Sequence, residues 1–516
     1  MANSNSYNAA ADLLESNLKA GRGGKAAFID PARTITYGEL DAEARRTANL
    51  MRALGLRHED RVIMIMLDTV EFPVAFLGAM LAGVIPIPLN TALTNETYAF
   101  MLADSRAKAL FVSAPLVAAL EPVLAKLPEL KVVVVSGEVS GNRTDFSKSR
   151  ADQSDKFQSV TTHPDEPAFW LYSSGSTGTP KGARHIHTSP MATARLYAQG
   201  VLGIREDDVC LSAAKLFFAY GLGNALTFPM SVGATAVLNP ERPTPALMYD
   251  YLKKHQPTLF FGVPTLYAAM LGDASLAREE GSKRLRMCVS AGEALPEHIG
   301  KSWKARFGVD ILDGVGSTEL LHIFLSNAPG DVVYGTSGVP VPGYDLRLVD
   351  EQSRDVADGE IGELLVRAPS AADGYWNQRD KSRATFEGAW TRTGDKYTRD
   401  KAGRYTYCGR TDDMFKVSGQ WVSPFEVESA LVSHPSILEA AVIAQDDRDG
   451  LTKPKAFIVL KAGIDKNGIE AALKEHVQTR VGAWKYPRWI EAVESLPKTA
   501  TGKIQRFKLR DASREP

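Results

Sequence analysis

Three glycines, five hydroxyl residues beyond Tyr172 and one lysine crowd into the twelve residues Leu171–Gly182, inside "LYSSGSTGTPKGARH". Glycines and small residues let backbone N–H groups close around an anion, and hydroxyls and an ammonium add donors, so the chemistry suggested is the holding of a phosphate chain. The stretch is not a Walker loop, because Pro180 precedes Lys181 and Gly182 follows it, where that motif needs Gly-Lys followed by Ser or Thr. A flexible Gly/Ser surface turn fits the same residues, and the loop alone leaves both readings open.

Other stretches carry groups that the same ligand would use. "DGVGSTELLH" sets Asp313, Ser317, Thr318 and Glu319 after a strand-like "VDIL", and a glutamate is a hard oxygen ligand suited to Mg²⁺, which takes a carboxylate or two plus phosphate oxygens. "TRTGDKY" offers Asp395, expected in a turn, as an acceptor for both hydroxyls of a ribose, with Arg410 of "GRTDD" close by. "PKTATGKIQRFKLR" puts Lys503 after a glycine in a basic tail with no acidic residue from Ser495 to Arg510. Each motif also has a plain structural account: a helix N-terminal charge, a turn residue, a solvated basic end.

The elements that must position these groups follow an α/β pattern. "RVIMIML", "KALFVS", "KVVVVSG", "PTLFFGV" and "LRMCVSAG" read as buried strands separated by amphipathic helical segments. The uncharged stretch Phe72–Asn95 is interrupted by Gly78, Gly83, Pro86 and Pro88. It reads as a buried helix and a strand, since a membrane span needs about 20 mostly apolar residues. Residues 136–165 turn polar and are expected to be a loop or linker. The last hundred residues suffice for a small α+β unit, and the boundary is placed at Asp412, giving domains 1–411 and 412–516. Formal net charge is −1, from 60 basic and 61 acidic side chains, which gives no global field for nucleic acid or an anionic membrane. Cys210, Cys288 and Cys408 lie far apart and suggest neither a disulfide framework nor a zinc site. The N-terminus lacks the pattern of a signal peptide, so a cytoplasmic protein is expected.

Taken together and in order, the motifs resemble the adenylate-forming superfamily of acyl-CoA synthetases, peptide-synthetase adenylation domains and luciferases, over nearly the whole chain. The resemblance implies an α/β fold: a large multi-subdomain N-terminal domain with mixed sheets flanked by helices, and a small mobile α+β C-terminal domain turning about a hinge at Asp412. It implies that Ser173, Ser176, Thr177 and Lys181 wrap the β and γ phosphates of ATP. Ala291, Gly292 and Glu293 would lie beside the adenine, with Asp313 reading its amino group. Asp395 and Arg410 would serve the ribose, and Thr318 and Glu319 the reacting phosphate, Glu319 holding Mg²⁺. Lys503 would be catalytic in forming the acyl-AMP only, after which the C-terminal domain would bring the strip around Gly419 to the thiol of coenzyme A. Val315 departs from the pattern, since an aromatic residue often stands there to stack on adenine.

The acid is read from "KLFFAYGLGNALTFP" and "STELLHIFLSN". Here Ala219, Tyr220, His322 and Ile323 are similar to the acyl pockets of benzoate-CoA ligases and their hydroxybenzoate relatives. Benzoate or a hydroxybenzoate is the expected substrate. Another carboxylic acid (cyclohexanecarboxylate, an aminobenzoate, a fatty acid), a luciferase-like oxygenase and a non-catalytic nucleotide binder are the alternatives. Phe217, Phe218 and Tyr220 also read as core aromatics, and His322 as a satisfied structural histidine. A lysine acetyltransferase and deacetylase acting on Lys503 are expected as regulatory partners, since acetylation removes the charge.

Overall fold

The computed structural model describes residues 6–127, 130, 132–141, 143–174, 179–273, 276, 281–417, 420–448, 450–464, 468–482, 485–498 and 504–512. Six strands run parallel, side by side in the order Ile311–Gly316, Met287–Ser290, Leu259–Gly262, Val209–Ser212, Thr235–Val237 and Ala26–Ile29. Antiparallel strands flank both ends of this run: Ile323–Ser326 then Val339–Pro340 on one side, Thr34–Thr36 on the other. Side chains alternate between two faces along a strand. Phe261, Val289 and Leu312 accordingly enter one apolar core, and Phe260, Cys288 and Ile311 enter another. Burial on both faces is why these strands read as continuous apolar runs.

A second, all-parallel sheet is ordered Ile85–Pro88, Arg61–Ile65, Ala109–Ser113, Val132–Ser136 and Thr144–Asp145. The uncharged stretch supplies its first strand and the helix Glu71–Leu81, buried from Phe72 onward. Close packing against a neighbouring helix requires Gly78, where a Cβ would sit 2.5 Å from Cβ of Thr47. Among the described residues no helix is long and apolar enough to cross a membrane.

Most of the described polar region 136–165 is loop, as expected, but its middle, 144–151, is built into the fold. Thr144–Asp145 pairs with the edge of the second sheet, and Asp145 caps the helix Phe146–Ala151. Two residues decide this against the polar composition: Phe146 is fully buried, and the buried Arg150 bridges Glu43 at 3.2 Å and Glu71. A buried guanidinium held by two carboxylates ties the segment into the core.

A third sheet is antiparallel, built from Asp345–Val349, Gly362–Arg367, Trp390–Arg399, Phe386–Glu387 and Tyr405–Arg410. Asp395 lies within one of its strands and not in a turn, because Trp390–Arg399 continues through "TGD" with a register shift at Lys396. Beyond it come the hairpin Phe415–Val417/Gln420–Val422 and a three-stranded sheet of Ile437–Asp446, Thr452–Leu460 and Trp489–Ala492. The helices Pro424–Val432 and Ile469–Val481 close a separate core around Val427, Leu431, Val442, Leu473 and Val477. The basic tail is not a free arm: Arg506 pairs with Glu428 at 2.7 Å, and Arg510 with Asp413 at 2.8 Å.

Candidate active site

In open parallel sheets ligands bind beyond the carboxyl ends of the strands, and the sequence motifs converge there. Strand Met287–Ser290 runs directly into Ala291, Gly292 and Glu293, and Gly292 adopts φ +95°, a conformation that favours glycine. Strand Ile311–Gly316, in register with it through Ser290 and Asp313, runs into Ser317, Thr318 and Glu319. The Asp313 carboxyl is buried, which pushes its pKa well above the usual range, and its Oδ1 has no hydrogen-bond partner among the described residues. Such an oxygen is costly unless a ligand or water meets it. Val315 is partly buried against the core below.

Two paired strands flank the glycine motif. Strands Pro167–Ser174 and Pro180–Ile186 pair so that Ser173 lies opposite Lys181. Ser176, Thr177, Gly419 and Lys503 lie outside the described residues. Ser173 donates its hydroxyl to Oε1 of Glu319 at 3.1 Å, and the hydroxyl of Tyr375 donates to the same oxygen at 2.8 Å. Lys181 Nζ stands 4.7 Å from the centre of the Tyr375 ring; burial lowers its pKa, and the charge of Glu319 works against that shift. Beneath them, buried His185 donates from Nε2 to the Thr318 carbonyl at 2.9 Å, and burial holds its pKa down to about 4. Asp395 and Arg410 face one another across two strands, with Nη1 at 2.9 Å from Oδ1.

The other end of the site is apolar. After strand Val209–Ser212 the chain turns through Phe217 and Phe218 into a short helix beginning at Ala219. Tyr220 donates its hydroxyl to the Val289 carbonyl at 3.1 Å. His322 is 2% exposed, its ring 5.5 Å from those of Tyr197 and Tyr220 and 4.4 Å from that of Phe228. Its Nε2 is 3.2 Å from both the Tyr220 carbonyl and Oδ1 of Asn224. Both are acceptors, so Nε2 carries the proton, and burial pushes the ring's pKa down to about 3. The ring is therefore neutral, and Nδ1 keeps a lone pair with no partner among the described residues. Ile323 is buried behind it. Between the two ends, Leu321 takes φ +67°, a left-handed conformation costing a bulky residue about 1–2 kcal/mol. The kink falls between Glu319, whose carboxylate turns to the strands flanking the glycine motif, and His322, which enters the aromatic cluster.

Comparison with known proteins places this geometry. Residues 15–376 match the AMP-binding enzyme family and residues 426–503 its C-terminal domain. The chain belongs to the adenylate-forming, AMP-binding enzymes. It is 56% identical to a benzoate-CoA ligase of Thauera aromatica, over 98% of this chain and 96% of that one. It is 54% identical to a 4-hydroxybenzoate-CoA/benzoate-CoA ligase of Rhodopseudomonas palustris, over 98% and 94%. The crystal structure of a benzoate CoA ligase from Burkholderia xenovorans superposes with a TM-score of 0.91 at 50% identity, covering 98% of this chain and all (100%) of that one.

Two residues that shape the candidate site escaped the sequence reading. Tyr375 carries no recognisable local signal; it is brought in by the strand Gly374–Tyr375, which pairs with the lysine strand. Asp68 lies some 150 positions from the pocket segment it serves. It is buried, accepts from the Leu216 N–H at 3.2 Å, and is pushed up to about 6 by burial, with Lys215 nearby opposing the shift. Lys215 in turn donates to the carbonyls of Asn239 and Glu241, so the turn leading to Ala219 is pinned on both sides.

Proposed function

We propose that the protein is an AMP-forming benzoate-CoA ligase. A benzoate oxygen attacks the α-phosphorus of ATP and pyrophosphate leaves. The sulfur of coenzyme A then attacks the carbonyl of benzoyl-AMP, and AMP leaves with the bridging oxygen. The observation that carries this reading is the pairing of a glycine-rich, lysine-bearing strand pair with a buried aromatic cluster whose histidine is neutral and already satisfied at Nε2. An uncharged ring needs walls and no ionic partner, and Ala219, Tyr220, Phe228 and His322 supply them. The full-length similarity to aryl-CoA ligases points the same way.

Bringing a carboxylate onto a phosphate chain requires fixed positioning and positive charge. Ser173, Ser176, Thr177 and Lys181 hold the outgoing pyrophosphate, and Lys503 neutralises the two anions as they meet. Thr318 and Glu319 border the reacting phosphate. Asp313 accepts from the adenine amino group, with Ala291, Gly292 and Glu293 along the base, and Asp395 takes the ribose hydroxyls while Arg410 holds it. A magnesium ion fits Glu319, a carboxylate held at Oε1 by the hydroxyls of Ser173 and Tyr375, because Mg²⁺ prefers one or two carboxylates completed by phosphate and water oxygens. When bound it supplies Lewis-acid stabilisation. The chain works as two domains, 1–411 and 412–516. The second turns about Asp412 after adenylation, withdrawing Lys503 and presenting the strip around Gly419 to the thiol. The enzyme acts in the cytoplasm, and acetylation of Lys503 would silence its first step.

One observation favours a second reading. The open lone pair on Nδ1 of His322, and the Nδ2 of Asn224, also buried without a partner among the described residues, would suit a ring hydroxyl. The experiment is product analysis with purified protein, benzoate, MgATP and coenzyme A. Benzoyl-CoA, AMP and pyrophosphate in equal amounts are expected. Consumption of ATP without thioester formation would overturn the ligase reading.

A further inference from the structure

The residue that joins the two halves of the nucleotide end is Tyr375. Three sets of contacts converge on its short segment. Its strand pairs with the lysine strand, Gly374 opposite Arg184 and Tyr375 opposite Ala183, and the Trp376 N–H donates to the Gly182 carbonyl at 2.8 Å. Three residues earlier, the Ala372 N–H donates to the backbone carbonyl of Glu319 at 2.7 Å. The side chain then repeats the link: its hydroxyl donates to Glu319 Oε1 at 2.8 Å while its ring faces Lys181 Nζ, 4.7 Å from the ring centre. The ring itself is 5% exposed and packs against Phe386 at 5.2 Å, and the Tyr375 N–H donates to Oγ of Ser382 at 3.0 Å.

We propose that Tyr375 is a positioning residue that fixes the Glu319 carboxylate relative to the Lys181 ammonium, so that magnesium-dependent nucleotide binding depends on its hydroxyl. The inference rests on the reading of Glu319 as the metal ligand. Two hydroxyls, from Ser173 and Tyr375, fall on one oxygen of Glu319. Its other oxygen takes no hydrogen bond among the described residues and is the one left to meet a cation. Burial raises the phenol's pKa, so the group stays a donor throughout the neutral range. A cation over the ring face is held without a competing ion pair, which leaves the ammonium able to turn to phosphate.

The test is calorimetric binding of ATP, without acid or coenzyme A, in Mg²⁺ and again in EDTA, for wild type, Tyr375→Phe, Glu319→Gln and the double variant. Tyr375→Phe keeps the ring for Lys181 and loses the hydroxyl, which donates to Glu319 at 2.8 Å and accepts from Lys181 Nζ only at the long distance of 3.5 Å. It is expected to weaken binding in Mg²⁺ by roughly tenfold, as for loss of one hydrogen bond to a charged group. In EDTA its affinity should stay within about twofold of wild type. The double variant should bind no more weakly than Glu319→Gln alone, because both changes act on one interaction. Equal weakening in Mg²⁺ and EDTA, full additivity, no weakening in either condition, or unfolding of Tyr375→Phe would each overturn the proposal. None of these outcomes depends on which acid is activated, so they stand apart from failure of the benzoate reading.

Discussion

The two ends of the site solve opposite problems with the same sheet. At the nucleotide end polar side chains partner one another, Ser173 and Tyr375 on Glu319 and Arg410 on Asp395, while the carboxyl of Asp313 keeps an unpaired oxygen. At the acid end the walls are aromatic, and the polar groups are turned onto the protein itself: Tyr220 onto the Val289 carbonyl, His322 onto the Tyr220 carbonyl and Asn224. Each end also holds one buried neutral histidine, His185 under Thr318 and His322 beside Tyr220. On the proposed reading, the contrast teaches that charge is handled where it must be transferred, and that ring recognition is left to shape.

The largest effect should break the nucleotide end alone. Lys503→Ala is expected to reduce benzoyl-AMP formation by at least about a hundredfold, the scale of removing one preorganised charge stabiliser. Thioester formation from supplied benzoyl-AMP should be nearly unchanged. Single-turnover assays of the two half-reactions decide it, and equal loss in both would remove the division of labour.

Filling the other end should do the converse. Ala219→Leu overpacks the pocket wall, which costs about 1–3 kcal/mol, and should lower kcat/KM roughly 5- to 150-fold for every aromatic acid while KM for ATP holds. Steady-state kinetics with benzoate and ATP varied separately reads both. A wild-type kcat/KM for aromatic acids would put the ring against a different wall. Asp68→Ala leaves the Leu216 N–H without its buried acceptor, a loss of about 1–3 kcal/mol, and should raise KM for the acid several-fold with the same indifference to ATP.

How much of this contrast was legible follows from what each end demands. The glycine motif and the segments at Ala291, Asp313 and Glu319 are short contiguous motifs, since approaching a phosphate chain needs small residues at fixed spacing. Parallel strands such as Leu259–Gly262 announced themselves by unbroken apolar runs. Tyr375 and Asp68 did not, because each acts across a sheet or between sheets on a residue distant in sequence. The helix Phe146–Ala151 was hidden by polar composition, its place secured by one aromatic and one buried arginine. At Asp395 the turn chemistry of "TGD" points to a turn, and strand pairing with Tyr405–Arg410 overrides it.

A predicted effect on stability rather than on turnover concerns His322. Its pKa, held down to about 3 against a usual 6.5, means the unfolded chain takes up the proton first as pH falls. The stability tied to the neutral ring is thus whole above about pH 6.5 and is lost progressively below it, by about 1.4 kcal/mol per pH unit. Asp68, raised to about 6, works in the opposite sense, since the folded chain takes up its proton first. The difference between wild type and His322→Gln isolates the histidine. Urea unfolding should show that stability difference shrinking by about 2 kcal/mol between pH 7 and pH 5, and a constant difference would show a ring that titrates in the folded protein.

The most direct measurement of the account is kcat/KM for a panel of acids at saturating ATP and coenzyme A: benzoate, its 3- and 4-hydroxy and 2-amino derivatives, cyclohexanecarboxylate and short fatty acids. Benzoate should lead, hydroxybenzoates should follow with their ratio to benzoate nearly unchanged in His322→Ala, and the flexible or puckered acids should trail by at least about tenfold, the scale for mismatched fit in an apolar pocket. A fatty acid or cyclohexanecarboxylate used as well as benzoate would contradict the account, because the aromatic walls around Ala219, Tyr220 and His322 would then not be selecting a flat ring.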